Sequence, residues 1–179
     1  VTAGLLDLNF LDVKFEIVCR PLDMYTANGK DEMEFMISMN PGEPIRPLKD
    51  VASGGELSRI MLAIKTVMSD KDDIETLIFD EIDVGISGRT AQKVSEKMAY
   101  IAKNHQVICI THLAQIAAMA DAHYGIEKQV IDGKTKTHIS LLDEKEEIEE
   151  LARILGGAEI TETVIQSALE MKQLAKRTK

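Results

Sequence analysis

The 179-residue sequence has only two cysteines, no long apolar run, no excess of positive charge and no phosphate-cradling loop. Cys19 and Cys109 are too few for a disulfide framework. Both fall in apolar, strand-like runs, which predicts two buried, reduced thiols in a reducing compartment. No apolar stretch approaches the ~18 residues of a membrane span, and no charged-then-apolar leader opens the sequence, so no membrane partner is expected. The formal net charge is −9. Phosphate neutralisation needs clustered Lys and Arg, so this charge argues against a continuous nucleic-acid-binding face. The one basic cluster, Lys172, Lys176, Arg177 and Lys179, reads as a solvated helix end whose cations suit the macrodipole. No Gly-x-x-x-x-Gly-Lys-Ser/Thr occurs. Gly133-Lys134-Thr135 ends like one, but Lys128 stands where the first glycine belongs, and the segment reads as part of a hairpin.

What is present is enough for a globular core. Hydrophobic residues make up 45%, and the length fits one domain over residues 1–179. The first fifty residues read as β structure: Leu8, Phe10, Val13, Phe15 and Ile17-Val18, a turn at Ala27-Asn28-Gly29-Lys30, then an extended run from Met33 to Met39. Asn40-Pro41-Gly42-Glu43-Pro44 breaks that pattern. From Leu57 the period turns helical, with Leu57, Ile60, Met61, Ile64, Val67 and Met68 on one face. Leu77-Ile78-Phe79 is apolar at consecutive positions, as a parallel strand covered on both sides would be.

A helix over about Arg89 to Asn104 follows, with Val94, Met98, Ile101 and Ala102 inward. A second buried strand runs from Val107 to Ile110, then a short helix from Leu113 to Ala120. Tyr124–Val130 and Thr137–Leu142 flank the turn signal Asp132-Gly133. Two closing helices carry Ile148, Leu151, Ile154 and Leu155, then Val164, Ile165, Ala168 and Leu169. The first of them stops at Gly156-Gly157. The alternation predicts an α/β fold with a mostly parallel sheet, helices on its faces and a β-rich N-terminal extension.

Four short segments carry the chemistry. Ser53-Gly54-Gly55-Glu56 reads as a capping box, yet a capping box does not explain two glycines that each cost about 1 kcal/mol in a helix. Two in a row imply that something approaches the backbone closely. A phosphate suits the free amides of a helix start. On that reading Gly55→Asp blocks the phosphate and leaves the fold intact. Leu77-Ile78-Phe79-Asp80-Glu81 ends an apolar strand in two adjacent carboxylates, at the sheet edge where α/β folds bind ligands. Successive side chains face opposite ways, so a division of labour fits: Asp80 toward Mg2+, directly or through water, and Glu81 toward the attacking water as general base. The bland reading is a solvated strand end. Asp83-Val84-Gly85-Ile86-Ser87-Gly88 is a turn, with Ser87 or a neighbour capping the next helix. His112 closes the buried strand at the same kind of edge and is placed to hydrogen-bond a γ-phosphate. His105, His123 and His138 have no such context and read as surface residues.

In this order the segments resemble the C-terminal lobe of an ABC-type ATPase head: Ser53 to Leu57 its signature, Leu77 to Glu81 its Walker B strand, Asp83 its D-loop and His112 its switch histidine. Asn40 to Pro44, Val51 to Arg59, Phe79 to Gly88 and Thr111 to Asp121 resemble the RecN family of SMC-like bacterial DNA-repair ATPases in particular. The resemblance implies that ATP and Mg2+ are the cofactors, and that a Walker A lobe and a coiled coil precede this lobe and are absent from the sequence. It also implies that Ser53, Gly54, Gly55, Glu56 and Asp83 face nucleotide held by a second copy of the head. Glu81 and His112 are then the catalytic residues and Asp80 the metal-facing one. The implied setting is cytoplasmic and nucleoid-associated, with DNA engaged by the full-length protein in double-strand break repair, and with this chain inactive by itself. The alternatives are a nucleotide-binding domain fragment of an ABC transporter, and a non-catalytic dimerisation lobe. Glu56 and Leu57-Ser58-Arg59 favour the SMC-like branch.

Overall fold

The computed structural model describes residues 1–179 except Ala52, Asp70, Asp72, Asp132 and Ala158, so the Asp132 half of the expected turn lies outside the described residues. The chain divides into two compact units. The first is 1–86 with 104–110, and the second is 87–103 with 111–179.

The first unit opens with a helix, α1 (Thr2–Asp7), where the sequence reads as strand. Its N-cap makes no side-chain hydrogen bond, and the helix exists to bury Leu5, which is fully enclosed. Leu8, Phe10 and Val13 are core residues, but they lie beyond α1 in irregular chain. An antiparallel ribbon follows: β1 (Lys14–Thr26), β2 (Gly29–Ser38) and the two-residue β3 (Arg46–Pro47), paired in that order. The β1–β2 turn is stitched by Thr26, whose hydroxyl donates to Gly29 O at 2.9 Å and accepts from Asn28 N at 3.2 Å. Cys19 is exposed on this ribbon rather than buried, because its strand is solvated on that side.

Helix α2 (Gly54–Met68) starts at Ser53, whose hydroxyl accepts from Glu56 N at 3.4 Å. Its buried residues are Gly55, Arg59, Ile60, Leu62, Ala63 and Ile64, whereas Leu57, Met61, Val67 and Met68 are exposed. The buried stripe is therefore turned from the expected one. Positions 55, 59 and 63 form an i, i+4, i+8 row through a glycine and an arginine, which a count of apolar residues passes over.

Strand β4 (Thr76–Phe79) pairs in parallel with β5 (Gln106–Cys109), Ile78 opposite Ile108 and Phe79 opposite Cys109. Leu77 and Phe79 are buried; Ile78 and Ile108 point to the other face and are 68% and 44% exposed. The expectation of strands covered on both sides fails here, because one face of the pair is open. This pair is the only parallel pairing among the described residues. The mostly parallel sheet of the sequence reading thus corresponds to two strands, and the remaining β structure is antiparallel ribbon. His105 is buried, its ring nitrogens 2.6 Å from Ile74 O and 3.0 Å from Ser69 O, which ties the loop after α2 to the start of β5.

In the second unit, α3 (Gly88–Ile101) starts at Ser87 without a side-chain cap bond and buries Ala91, Val94, Ser95, Met98 and Ile101. It stops three residues short of Asn104, which leaves the expected inward Ala102 exposed at its cap. Helix α4 (Ala114–Ala117) packs against α3, and the hairpin β6 (Tyr124–Ile131) and β7 (Lys134–Leu141) follows. Gly133 sits in its turn at φ +70°, and Lys134 pairs with Ile131, so the P-loop-like triplet is hairpin.

Helices α5 (Glu144–Gly156) and α6 (Glu162–Thr178) pack on each other around small residues. Ala114, Ala118, Leu151, Ala152, Ala168 and Ala175 form this core, while Leu155 and Ile165 are exposed. Asp143 and Glu146 form a complete capping box at the start of α5, and Gly157 at φ +67° ends it. The basic C-terminal cluster is not simply a solvated face. Lys172 is buried, donating to Ala120 O at 3.0 Å and pairing with Glu147 at 3.1 Å, and its Nζ lies 3.1 Å from His123 Nε2. Lys179 pairs with Asp121. His123, read as a surface residue, is buried by this network; His138 is exposed.

Candidate functional site

The site is built where the start of α2 meets the acidic segment beyond β4, within the first unit. Strand β4 ends at Phe79, and the ladder reaches one step further through Ile110 N to Phe79 O at 3.0 Å. Asp80 and Glu81 therefore stand just past the strand, both exposed. Asp80 Oδ1 accepts from Glu81 N at 2.9 Å. Glu81 has φ +58°, a left-handed conformation that costs a side-chain-bearing residue roughly 1–2 kcal/mol. This bend turns the chain into a tight loop, closed by Val84 N to Glu81 O at 3.1 Å and Ile86 N to Asp83 O at 3.4 Å, with Gly85 at φ +74°. Inside it Ile82 and Asp83 are buried.

The two glycines of α2 lie against this loop. A β-carbon on Gly55 would meet Glu81 O at 2.9 Å, Val84 Cβ at 3.1 Å and Val84 O at 3.2 Å. One on Gly54 would stand 2.2 Å from Glu81 Oε2, so the Glu81 carboxylate rests on the first turn of α2. The expectation that something approaches the glycine backbone is met by the chain itself. The view that Gly55→Asp spares the fold is corrected accordingly, since the side chain has no room there.

Side chains of α2 complete the junction. Ser58 Oγ donates to Asp80 O at 2.8 Å, and Arg59 Nη1 donates to Val84 O at 2.9 Å and Ile82 O at 3.4 Å. Burial lowers the Arg59 guanidinium from its usual range, with Glu56 opposing the shift. The Cys109 thiol on β5, half-buried rather than fully buried as expected, is pushed up to about 12 by burial first, then by Asp83 and Asp80.

Of the predicted residues, Ser53, Gly54, Gly55, Glu56, Asp80, Glu81 and Asp83 are gathered in the first unit. His112 belongs to the second unit and is exposed. It follows Thr111, whose hydroxyl accepts from Leu113 N at 3.0 Å. Ser58 and Arg59 entered the sequence reading only as marks of the SMC-like branch, with no role in the site; the available signal was Arg59's place four residues after Gly55. Among the described residues no group of three or more His, Cys, Asp or Glu side chains could hold a metal ion. Magnesium in phosphoryl transfer is usually held by one or two carboxylates together with substrate phosphates and water, and the exposed oxygen donor of Asp80 fits that mode. No helix among the described residues is long and apolar enough to cross a membrane.

No family model matches the chain. The DNA repair protein RecN of Halalkalibacterium halodurans is 46% identical over 164 residues, covering 92% of this chain and 29% of that protein. RecN of Bacillus subtilis is 46% identical over 154 residues, covering 86% and 27%. The chain thus spans less than a third of the curated relatives it matches, and these relatives are repair proteins rather than transporters. Among solved structures, the Smc head domain with a coiled coil and joint from Pyrococcus yayanosii superposes with TM-score 0.58 at 19% identity, over 83% of this chain and 27% of that one. A second, from work on ATP-driven dimerization and DNA-stimulated activation of SMC ATPases, gives TM-score 0.50 at 18% identity over 86% and 87%. At such identities the likeness is one of fold alone, an α/β fold. By sequence the chain belongs to the RecN family of DNA repair proteins.

Proposed function

We propose that this chain is the signature and Walker B lobe of an SMC-type ATPase head acting in DNA double-strand break repair and recombination. The observation that carries the reading is the junction at Gly55, where the helix start Ser53–Glu56 and the acidic loop Asp80–Asp83 pack as one piece. Residues this far apart in sequence are held together at the carboxyl end of a parallel strand, which is where α/β folds do nucleotide chemistry. The open face bearing Ile78, Ile108 and Ile110 is covered by the Walker A lobe of the full-length protein, since apolar strand faces are stable only when covered.

The roles follow from the chemistry of each group. Free amides and positive potential at the start of α2, with Ser53, Gly54, Gly55 and Glu56, receive the triphosphate of nucleotide held by a second head. Asp83 lines the same interface from the loop. Asp80 would hold Mg2+ through oxygen, and bound magnesium neutralises charge on the phosphate oxygens. Glu81 takes the proton of the attacking water, and His112 hydrogen-bonds the γ-phosphate. ATP engages two heads, and hydrolysis releases them. DNA is contacted by the full-length protein, in the nucleoid.

Glu81→Gln in the full-length protein tests the central assignment. The amide keeps shape while losing proton acceptance, so hydrolysis is expected to fall about 10²–10⁴-fold with ATP binding retained and ATP-held dimers prolonged. Near-normal hydrolysis would move the base elsewhere, with His112 the next residue to test.

A further inference from the structure

We infer that Arg59 is a positioning residue that, with Ser58, fixes the backbone of the acidic loop and so aims Glu81; the inference rests on Glu81 being the base. Arg59 is only 8% exposed, an unusual place for a guanidinium. Among the described residues it forms no ion pair. Nη1 reaches the carbonyls of Ile82 and Val84, the guanidinium carbon lies 5.7 Å from the Phe10 ring centroid, and the buried Nε has no hydrogen-bond partner among the described residues. Were the role only to fill space beneath α2, an apolar side chain would do so without burying a charge.

What arginine adds is geometry. Its Nη1 alone reaches both carbonyls that flank Asp83, Val84 O at 2.9 Å and Ile82 O at 3.4 Å, while Ser58 holds Asp80 O. Two neighbouring α2 residues therefore hold the carbonyls of residues 80, 82 and 84, every second one in the acidic segment. Between them sits Glu81 with its left-handed backbone. Such a conformation persists only where the surroundings over-determine it, and these hydrogen bonds are those surroundings. The same helix begins at Ser53, so whatever moves the start of α2 moves the loop carrying Glu81.

The experiment uses the full-length protein with Arg59→Met and the milder Arg59→Lys, which keeps the charge without the planar guanidinium. A misaimed base should lower kcat about 10–100-fold with KM for ATP unchanged. Hydrogen exchange should quicken at Ile82–Gly85 in Arg59→Met, while the amides of β4 and β5 stay protected. In a Glu81→Gln background the further loss from Arg59→Met should nearly vanish, because both act through one carboxylate. A melting temperature lowered with kcat per folded molecule unchanged would overturn the inference, as would unaltered exchange in the loop or fully additive losses. A normal rate in Glu81→Gln alone would instead overturn the proposed function, leaving the clamp to be judged by exchange.

Discussion

Gly54 and Gly55 are adjacent and of one residue type, yet the structure gives them different work. At Gly55 the obstruction is backbone: Glu81 O and Val84 O cannot swing away, and Val84 Cβ closes the third side. At Gly54 the obstruction is the far end of the Glu81 side chain, which can rotate. Gly55→Ala is therefore expected to destabilise the protein, since overpacking of about 1–3 kcal/mol outweighs a helix-propensity gain of about 1 kcal/mol. Gly54→Ala should be neutral or slightly stabilising, and it should displace the Glu81 carboxylate. Thermal or denaturant unfolding of the two variants checks the contrast; equal effects would refute the packing account. The glycine pair was visible in the sequence as an anomaly in a capping box, and the need for close approach was legible. That the approaching group is the chain's own loop was not, because it depends on a left-handed residue 26 positions later, at Glu81.

Among the elements, those marked by strong local signals were readable: α2 behind its Ser53 cap, the β6–β7 hairpin around Gly133, and α5 ending at Gly157. Those that exist for tertiary reasons were not. Helix α1 has no capping side chain and forms to bury Leu5, and the inward stripe of α2 runs through Arg59. His123 and Lys172 look like surface residues until α5 and α6 enclose them. That enclosure has a consequence for pH. Burial first, then the Lys172 ammonium, lowers His123 from its ordinary value, while Glu147 and Glu150 oppose the shift. As pH falls through the ordinary imidazole value of about 6.5, the unfolded chain takes up a proton that the folded chain still refuses. Stability is therefore present above that pH and is lost as the solution becomes more acid. Melting temperatures should fall between pH 7.5 and 5 in the wild type, with a shallower fall in His123→Gln. Parallel slopes would remove His123 from the account.

For the whole molecule, the decisive facts are what the chain shares and how much of its relatives it spans. It matches RecN proteins across most of its own length but less than a third of theirs. The order and spacing of the glycine, acidic and histidine segments made the family legible. The split into two compact units and the open face at Ile78 and Ile108 were not legible, since apolar residues read alike whether a neighbour covers them or not. The central claim is that this lobe contributes half of a composite ATP site and lacks the phosphate-gripping half. ATP titration and turnover, measured on this chain alone and on the full-length protein, test that claim most directly. The account expects no tight binding and no hydrolysis by the chain alone, with both present in the full-length protein and turnover abolished there by Glu81→Gln. Micromolar ATP affinity or turnover by the isolated chain would contradict it.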